Sequence, residues 1–536
     1  MKKIFHINSI TFITLVSLYF SFGLNISFWQ LVFSKVSPDN FNTIVFACSL
    51  PFFIFIPLFM LFCLLVVPVI GRPLVAVLLL LSVAADYAMS NLNVIIDSDM
   101  IRNFAETNLR EAADFVTVKA LVCIFVMGII PAALVLLTDI KFAPFVKETA
   151  RRLLLCLAML LVLGAFAFTS YKEYASFGRN NSQVRKYINT FNYIYAVGRY
   201  QQKKLNAERR FVVLDAAPAL NKVPGSRPKL LVLVVGETAR AKNFSLYGYE
   251  RQTNPLLEKQ DIIVFSNVSS CGTATAVSLP CMFSANGRKD FDVDEARHTQ
   301  NLLDIALAAG YKVSWKDNDD GCKGVCSRIE TVDAKDGNKQ PECFGSYCHD
   351  EILLDGLEQK IQNLTQDTVI VLHMMGSHGP TYHKRYPDRF RRFLPACDTA
   401  DLQNCSRRQI TNTYDNTILY TDYVLSSVID ILKKNRNIES GMLYVSDHGE
   451  SLGENNLYLH GLPYAVAPKE QKEVPMILWL SPLMREKLDV RCLRRKAAAN
   501  SYSHDNYFHS VLRLLNIATP VYRPQLDIFE DCAGEK

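Results

Sequence analysis

At 536 residues the chain exceeds one ordinary compact domain. Its first third is dominated by Leu, Val, Ile, Phe and Ala, whereas the rest mixes polar and apolar residues as a globular protein does. The formal charge is only +6 and the basic residues are scattered, which excludes a concentrated nucleic-acid-binding surface.

Five apolar runs occupy about 10–34, 42–70, 73–92, 116–138 and 152–171. Each reaches the roughly 20 residues that a helix needs to cross a bilayer with its backbone internally hydrogen-bonded. Five in succession predict a transmembrane domain over 1–172 rather than buried core helices. The first run has no small-residue cleavage pattern and four more follow it, so it reads as an anchor and not as a signal peptide. Lys2 and Lys3 precede the first run, Arg72 lies between the second and third, and Lys141, Lys147, Arg151 and Arg152 lie between the fourth and fifth. Those segments are expected in the cytoplasm. An odd number of spans then delivers everything past about residue 172 to the other side.

The loop between the third and fourth spans, VIIDSDMIRNFAETNLREAADF, places Asn103, Thr107 and Glu111 at intervals of four, on one face of a helix. Spacing alone is equally met by a solvated face. Residues 173–228 read as an interfacial helix and linker: 182–210 mixes Tyr, Phe and Ile with Lys and Arg, and DAAPALNKVPGSRP follows.

Cysteines divide in the same way. Cys48, Cys63, Cys123 and Cys156 lie in apolar runs, where a thiol behaves as a small hydrophobe. The other ten lie beyond residue 270, an even number at mostly short spacings, as disulfides in an oxidising compartment would be. The simplest sequential pairing is Cys271–Cys281, Cys322–Cys326, Cys343–Cys348, Cys397–Cys405 and Cys492–Cys532, although connectivity stays open at this level.

From 229 to 536 short hydrophobic runs alternate with amphipathic ones. KLLVLVVGE, DTVIVLHMMG and GMLYVSDHGE are continuous apolar runs that end in polar residues, as buried parallel strands are. Helical periodicity marks 299–310 and 415–434. The expectation is an α/β domain with a mainly parallel central sheet covered by helices, its active site at the carboxyl ends of the strands. Glu237 stands just past the first of these runs, Asp447 and His448 just past the third, and the second leads into His373 and His378. Two carboxylates and an imidazole from separate strand ends suit zinc with a position left open. Thr275, where CGTATAVSLPCMF enters a short helix, is the candidate nucleophile and fourth ligand. A helix start offers backbone N–H groups to a phosphate, and bound zinc would lower the hydroxyl's pKa.

GETAR at 236–240, CGTATAVSLPCMFS at 271–284, HMMGSHGPTY at 373–382 and SDHGESLGE at 446–454, with His460 beyond, resemble the phosphoethanolamine transferases of Gram-negative bacteria. The resemblance is closest to those that modify lipid A, and it covers nearly the whole chain, including the five spans. It implies a branch of the alkaline phosphatase and sulfatase superfamily in which Glu237, Thr275, Asp447 and His448 hold the catalytic zinc. Thr275 would carry the phosphoethanolamine, while Lys323, His378 and His460 would contact phosphate and sometimes a second zinc; His373 also matches a motif position. Asn103, Thr107 and Glu111 match positions that line the donor-lipid site. The implied donor is phosphatidylethanolamine, the acceptor lipid A, and the place a bacterial inner membrane with the catalytic domain in the periplasm.

Core sugars are an alternative acceptor, and a phosphoglycerol transferase with five spans and a Thr nucleophile is the nearest rival enzyme. The cysteines around Thr275 and the SLPCMFS segment favour the ethanolamine branch. A sulfatase would need a C/S-x-P-x-R pattern at the nucleophile, which is absent. A non-catalytic lipid-binding protein should have lost a member of the metal constellation, and none is missing.

Overall fold

The computed structural model describes residues 5–36, 41–91, 94–98, 100–101, 118–207, 209–221, 225–335, 343–344 and 347–532. It divides into two compact units, Met1–Arg209 and Arg210–Lys536.

Among the described residues of the first unit, four helices are long and apolar enough to cross a membrane: Phe41–Leu65, Gly71–Asn91, Val118–Leu137 and Phe145–Thr169. The first apolar run is two helices, Ser9–Gly23 and Ile26–Lys35, meeting at 57°, and counts as a fifth span if the pair is one. Such a bend frees backbone groups that hydrocarbon cannot satisfy, so polar side chains must do so. Fully buried Asn25 donates through Nδ2 to the Phe20 carbonyl at 2.7 Å. Its Oδ1 accepts from the Asn189 backbone N–H at 2.8 Å, and the Asn189 side chain donates to the carbonyls of Leu24 and Ser82. The last span begins at Phe145, seven residues before the apolar run, so Arg152 lies within the helix. There it pairs with Glu148 at 2.8 Å and donates to the carbonyls of Cys63 and Val66, at the end of the Phe41–Leu65 helix. A short turn at Val184–Tyr187 and a helix at Phe191–Ala207 follow.

The second unit is built on a seven-stranded sheet: β1 Lys229–Gly236, β2 Ile262–Val264, β3 Lys312–Asp317, β4 Glu330–Asp333, β5 Thr368–His373, β6 Glu439–Ser446 and β7 Met476–Leu480. The spatial order is β2-β7-β6-β1-β5-β3-β4, and only β7 runs against its neighbours. Every residue of β1, β5 and β6 is buried, because helices cover both faces and leave no place for polar alternation. On one face Leu231, Leu233 and Val235 join a core that includes Trp315, Phe508, Val511 and Leu512, the last three from the helix Asp505–Leu514.

The helix Arg407–Lys434 is started by a capping box between Ser406 and Gln409 and buries several polar residues. Among them Asp415 is held by Asn243, Tyr249 and Arg251, at 2.5, 3.0 and 2.8 Å. Five disulfides join Cys271–Cys281, Cys322–Cys326, Cys343–Cys348, Cys397–Cys405 and Cys492–Cys532.

Since β1 is the central strand and Leu233 is fully enclosed, Leu233→Ala should cost about 2–5 kcal/mol. Thermal melting of the purified protein followed by tryptophan fluorescence reads this as a lowered transition, and an unshifted transition would contradict the packing described.

Candidate active site

The register of the sheet assembles the site. Ser446 of β6 pairs with Gly236 of β1, so the next residues, Glu237 and Asp447, leave adjacent strand ends side by side. His448 follows, and all three side chains are fully buried. Thr275 opens the helix Thr275–Met282, and its hydroxyl donates to Glu237 Oε2 at 2.9 Å and lies 3.3 Å from His448 Nε2. That same nitrogen is 3.5 Å from Glu237 Oε1 and 3.3 Å from Asp447 Oδ2.

Two carboxylates so placed repel one another in a medium that cannot screen them. Burial, then the neighbouring Asp447, pushes the Glu237 carboxyl up to about 7, and burial pushes Asp447 up to about 6. Asp447 Oδ2 has no hydrogen-bond partner among the described residues. His448 Nδ1 lies 2.9 Å from the Gly449 carbonyl, which fixes the proton there and turns an unprotonated Nε2 toward the carboxylates. A carboxylate oxygen without a hydrogen-bond partner among the described residues, the His448 Nε2 and the Thr275 hydroxyl converge on one point and fit a divalent metal.

Backbone strain sits at the same place. Thr238 has φ 59°, a left-handed conformation unusual for a β-branched residue. Its N–H donates to Asp447 Oδ1 at 3.1 Å, its hydroxyl donates to Glu237 Oε1, and its carbonyl accepts from the Tyr414 hydroxyl at 2.8 Å. Gly376, at φ 53°, lets the loop after β5 press on the Glu237 backbone; a Cβ there would come within 2.5 Å of the Glu237 carbonyl.

The loop that carries Thr275 is tied down by Ser278, inside its own motif, and by His504, which no motif includes. Ser278 donates to the Asp447 carbonyl at 2.5 Å. Fully buried His504 accepts from the Cys271 N–H through Nδ1 at 3.2 Å, and its Nε2 lies 3.0 Å from the Ser446 carbonyl. One ring thus joins the Thr275 loop to the end of β6. Burial holds this imidazole neutral, down at about 3. No sequence pattern marks it.

His460 stands next to His448, ring centroids 4.3 Å apart, and its Nδ1 lies 2.7 Å from Glu450 Oε2. Tyr382 donates to the other oxygen of Glu450 at 2.6 Å. His378 lies 5.9 Å from His460 between ring centroids. Lys323, at φ 51°, donates to the Asp320 carbonyl at 2.6 Å, within its own loop. His373 is fully enclosed and committed to Asp317, rather than open to a substrate. Asn103, Thr107 and Glu111 lie outside the described residues.

Residues 229–517 match the sulfatase family and residues 54–205 the family of phosphoethanolamine transferases EptA/EptB. Phosphoethanolamine transferase EptA of Escherichia coli K12 is 39% identical over 98% of this chain and 97% of its own length. The chain belongs to the phosphoethanolamine transferase family. Phosphatidylethanolamine transferase Mcr-1 of Escherichia coli is 38% identical over 76% of this chain and 78% of its own. Among solved structures, the integral membrane lipooligosaccharide phosphoethanolamine transferase A of Neisseria meningitidis covers 99% of this chain and 100% of its own, at 39% identity and a TM-score of 0.66. The chain is an integral membrane protein with a periplasmic catalytic unit.

His504 gives the site a pH signature. Its folded pKa, about 3, lies below the ordinary 6.5, so on acidification the unfolded chain gains a proton that the folded chain refuses. The stability it contributes is complete above 6.5 and is lost as pH falls toward about 3. The melting temperature should therefore drop on acidification from pH 7 to 4, and His504→Gln should start lower and fall less steeply. Parallel slopes would contradict this.

Proposed function

We propose that this transferase moves phosphoethanolamine from phosphatidylethanolamine to a phosphate of lipid A through a covalent phosphoethanolamine–Thr275 intermediate. The observation that carries the reading is the Thr275 hydroxyl, held 2.9 Å from Glu237 and 3.3 Å from His448 at the start of a helix. We assign zinc to Glu237, Thr275, Asp447 and His448; when bound, it lowers the hydroxyl's pKa and neutralises the buried carboxylates.

Glu237 aims the Thr275 hydroxyl by accepting its hydrogen bond. Thr275 Oγ then bonds to the phosphorus of the donor as the bond from phosphorus to the diacylglycerol oxygen breaks, and the hydroxyl proton ends on diacylglycerol. In the second half a phosphate oxygen of lipid A bonds to that phosphorus, and the Thr275 oxygen leaves and regains a proton. Backbone N–H groups of the first helical turn, Lys323, His378 and His460 supply donors or positive charge to the non-bridging phosphoryl oxygens. Glu450 holds His460 in place for that task. Both substrates are lipids, which accounts for a soluble fold carried on apolar helices.

Thr275→Ala removes the nucleophile and no core contact, so lipid A from cells expressing it should lack the added phosphoethanolamine that wild type installs. Mass spectrometry of lipid A reads this, and modification by the variant would end the covalent mechanism. Because phosphoethanolamine offsets anionic charge with an ammonium group, wild-type expression should also raise resistance to polymyxin-type peptides. Chelation should abolish transfer by the purified protein and added zinc should restore it; transfer that survives complete metal removal would refute the metal assignment.

A further inference from the structure

A second cluster of donors lies on the far side of Glu237 from Asp447. His373 ends β5 and pairs in register with Asp317 at the end of β3 on one side and Val235 of β1 on the other. Three neighbouring strand ends therefore bring Glu237, His373 and the Asp317–Asp319 loop together. Ligand atoms of Glu237, Asp319 and His373 lie within 4.8 Å of one another, and all three side chains are buried.

The hydrogen bonds around His373 set its tautomer. Asp317 Oδ2 receives the Trp315 indole N–H at 2.7 Å and lies 3.0 Å from His373 Nδ1. The ring hydrogen is thereby placed on Nδ1, and Nε2 is left toward Asp319. A carboxylate that backs a histidine in this way is the outer-shell arrangement of metal-binding imidazoles. His373 is 0% exposed and Asp319 4%, yet His373 Nε2 and Asp319 Oδ1 have no hydrogen-bond partner among the described residues. Nε2 stands 4.0 Å from Asp319 Oδ2, too far for a hydrogen bond. It is close to the roughly 3–4 Å that separates two ligands on one zinc-sized ion.

We propose that Glu237, Asp319 and His373 hold a second divalent cation of the zinc or manganese class, which shares Glu237 with the centre at Thr275. One imidazole nitrogen and two carboxylates favour such an ion over magnesium, which keeps oxygen ligands and several waters. The ion neutralises Asp319 and the inner side of Glu237, and so fixes the carboxylate against which the nucleophile is aimed. In the competing state the pocket is cation-free. There burial opposes charge on His373, but the Asp317 hydrogen bond and the charge of Asp319 overcome it and lift the imidazole to about 9.

Metal content separates the two states. The purified full-length protein, stripped with chelator, reloaded with zinc and desalted, is measured by mass spectrometry of the metal per chain. Asp319→Asn and His373→Gln should each bind one ion fewer than wild type while keeping the ion at Thr275. Asp447→Asn should lose the ion at Thr275 and keep this one. Unchanged stoichiometry in either Asp319→Asn or His373→Gln overturns the proposal. Loss of all bound metal in both overturns it as well, because these residues would then only support a single centre. The result is independent of the covalent mechanism: a protein that passes this test but forms no Thr275 adduct would sink that mechanism and leave the second cation standing.

Discussion

Glu237 and Asp447 leave neighbouring parallel strands at the same level and are both fully buried, and the rest of this end of the sheet answers to that electrostatic cost. Two carboxylates in a water-excluded place are stable only with protons, dense hydrogen bonding or a cation. The chain supplies part of the second remedy, from the Thr238 N–H and hydroxyl and the Thr275 hydroxyl, and leaves Asp447 Oδ2 without a hydrogen bond among the described residues. That unmet demand is the physical ground for the metal and for the nucleophilic Thr275 hydroxyl proposed above.

Positioning is distributed over several elements. The disulfide Cys271–Cys281 closes the loop, Ser278 and His504 bind it to the β6 end, and Tyr414 reaches from the long helix to steady the strained Thr238. A hydroxyl held from several sides loses little further entropy on the way to reaction. The same economy explains why polar residues of Arg407–Lys434 face inward: they hold the loop beyond Glu237 through Asn243 and Arg251.

Much of this was legible in the sequence. Buried parallel strands announce themselves as unbroken apolar runs, and Glu237, Asp447 and His448 sit just past such runs, where strand ends put chemistry. Thr275 was legible through its cysteine-flanked entry to a helix. His504 was not, since it binds Cys271 and Ser278 from more than two hundred residues away; Glu450 lies inside SDHGESLGE, but its hold on His460 shows only in the fold. The Asp317–His373–Asp319 cluster depends on the register of β5 with β3, which no local pattern encodes. The bend near Asn25 was hidden for a related reason: hydropathy averages over one polar residue, and only the contact with Asn189 shows how it is tolerated. Arg152 reads as a span boundary in sequence but pairs within the helix, because Glu148 and two carbonyls satisfy it.

The covalent role proposed for Thr275 is tested most directly by mass analysis of the purified protein after incubation with phosphatidylethanolamine in the absence of lipid A. A phosphoethanolamine group on the peptide containing Thr275, removed when lipid A is added, is the expected result. A protein that releases diacylglycerol at full rate while Thr275 stays unmodified throughout, or one that carries the group on another residue, would contradict it.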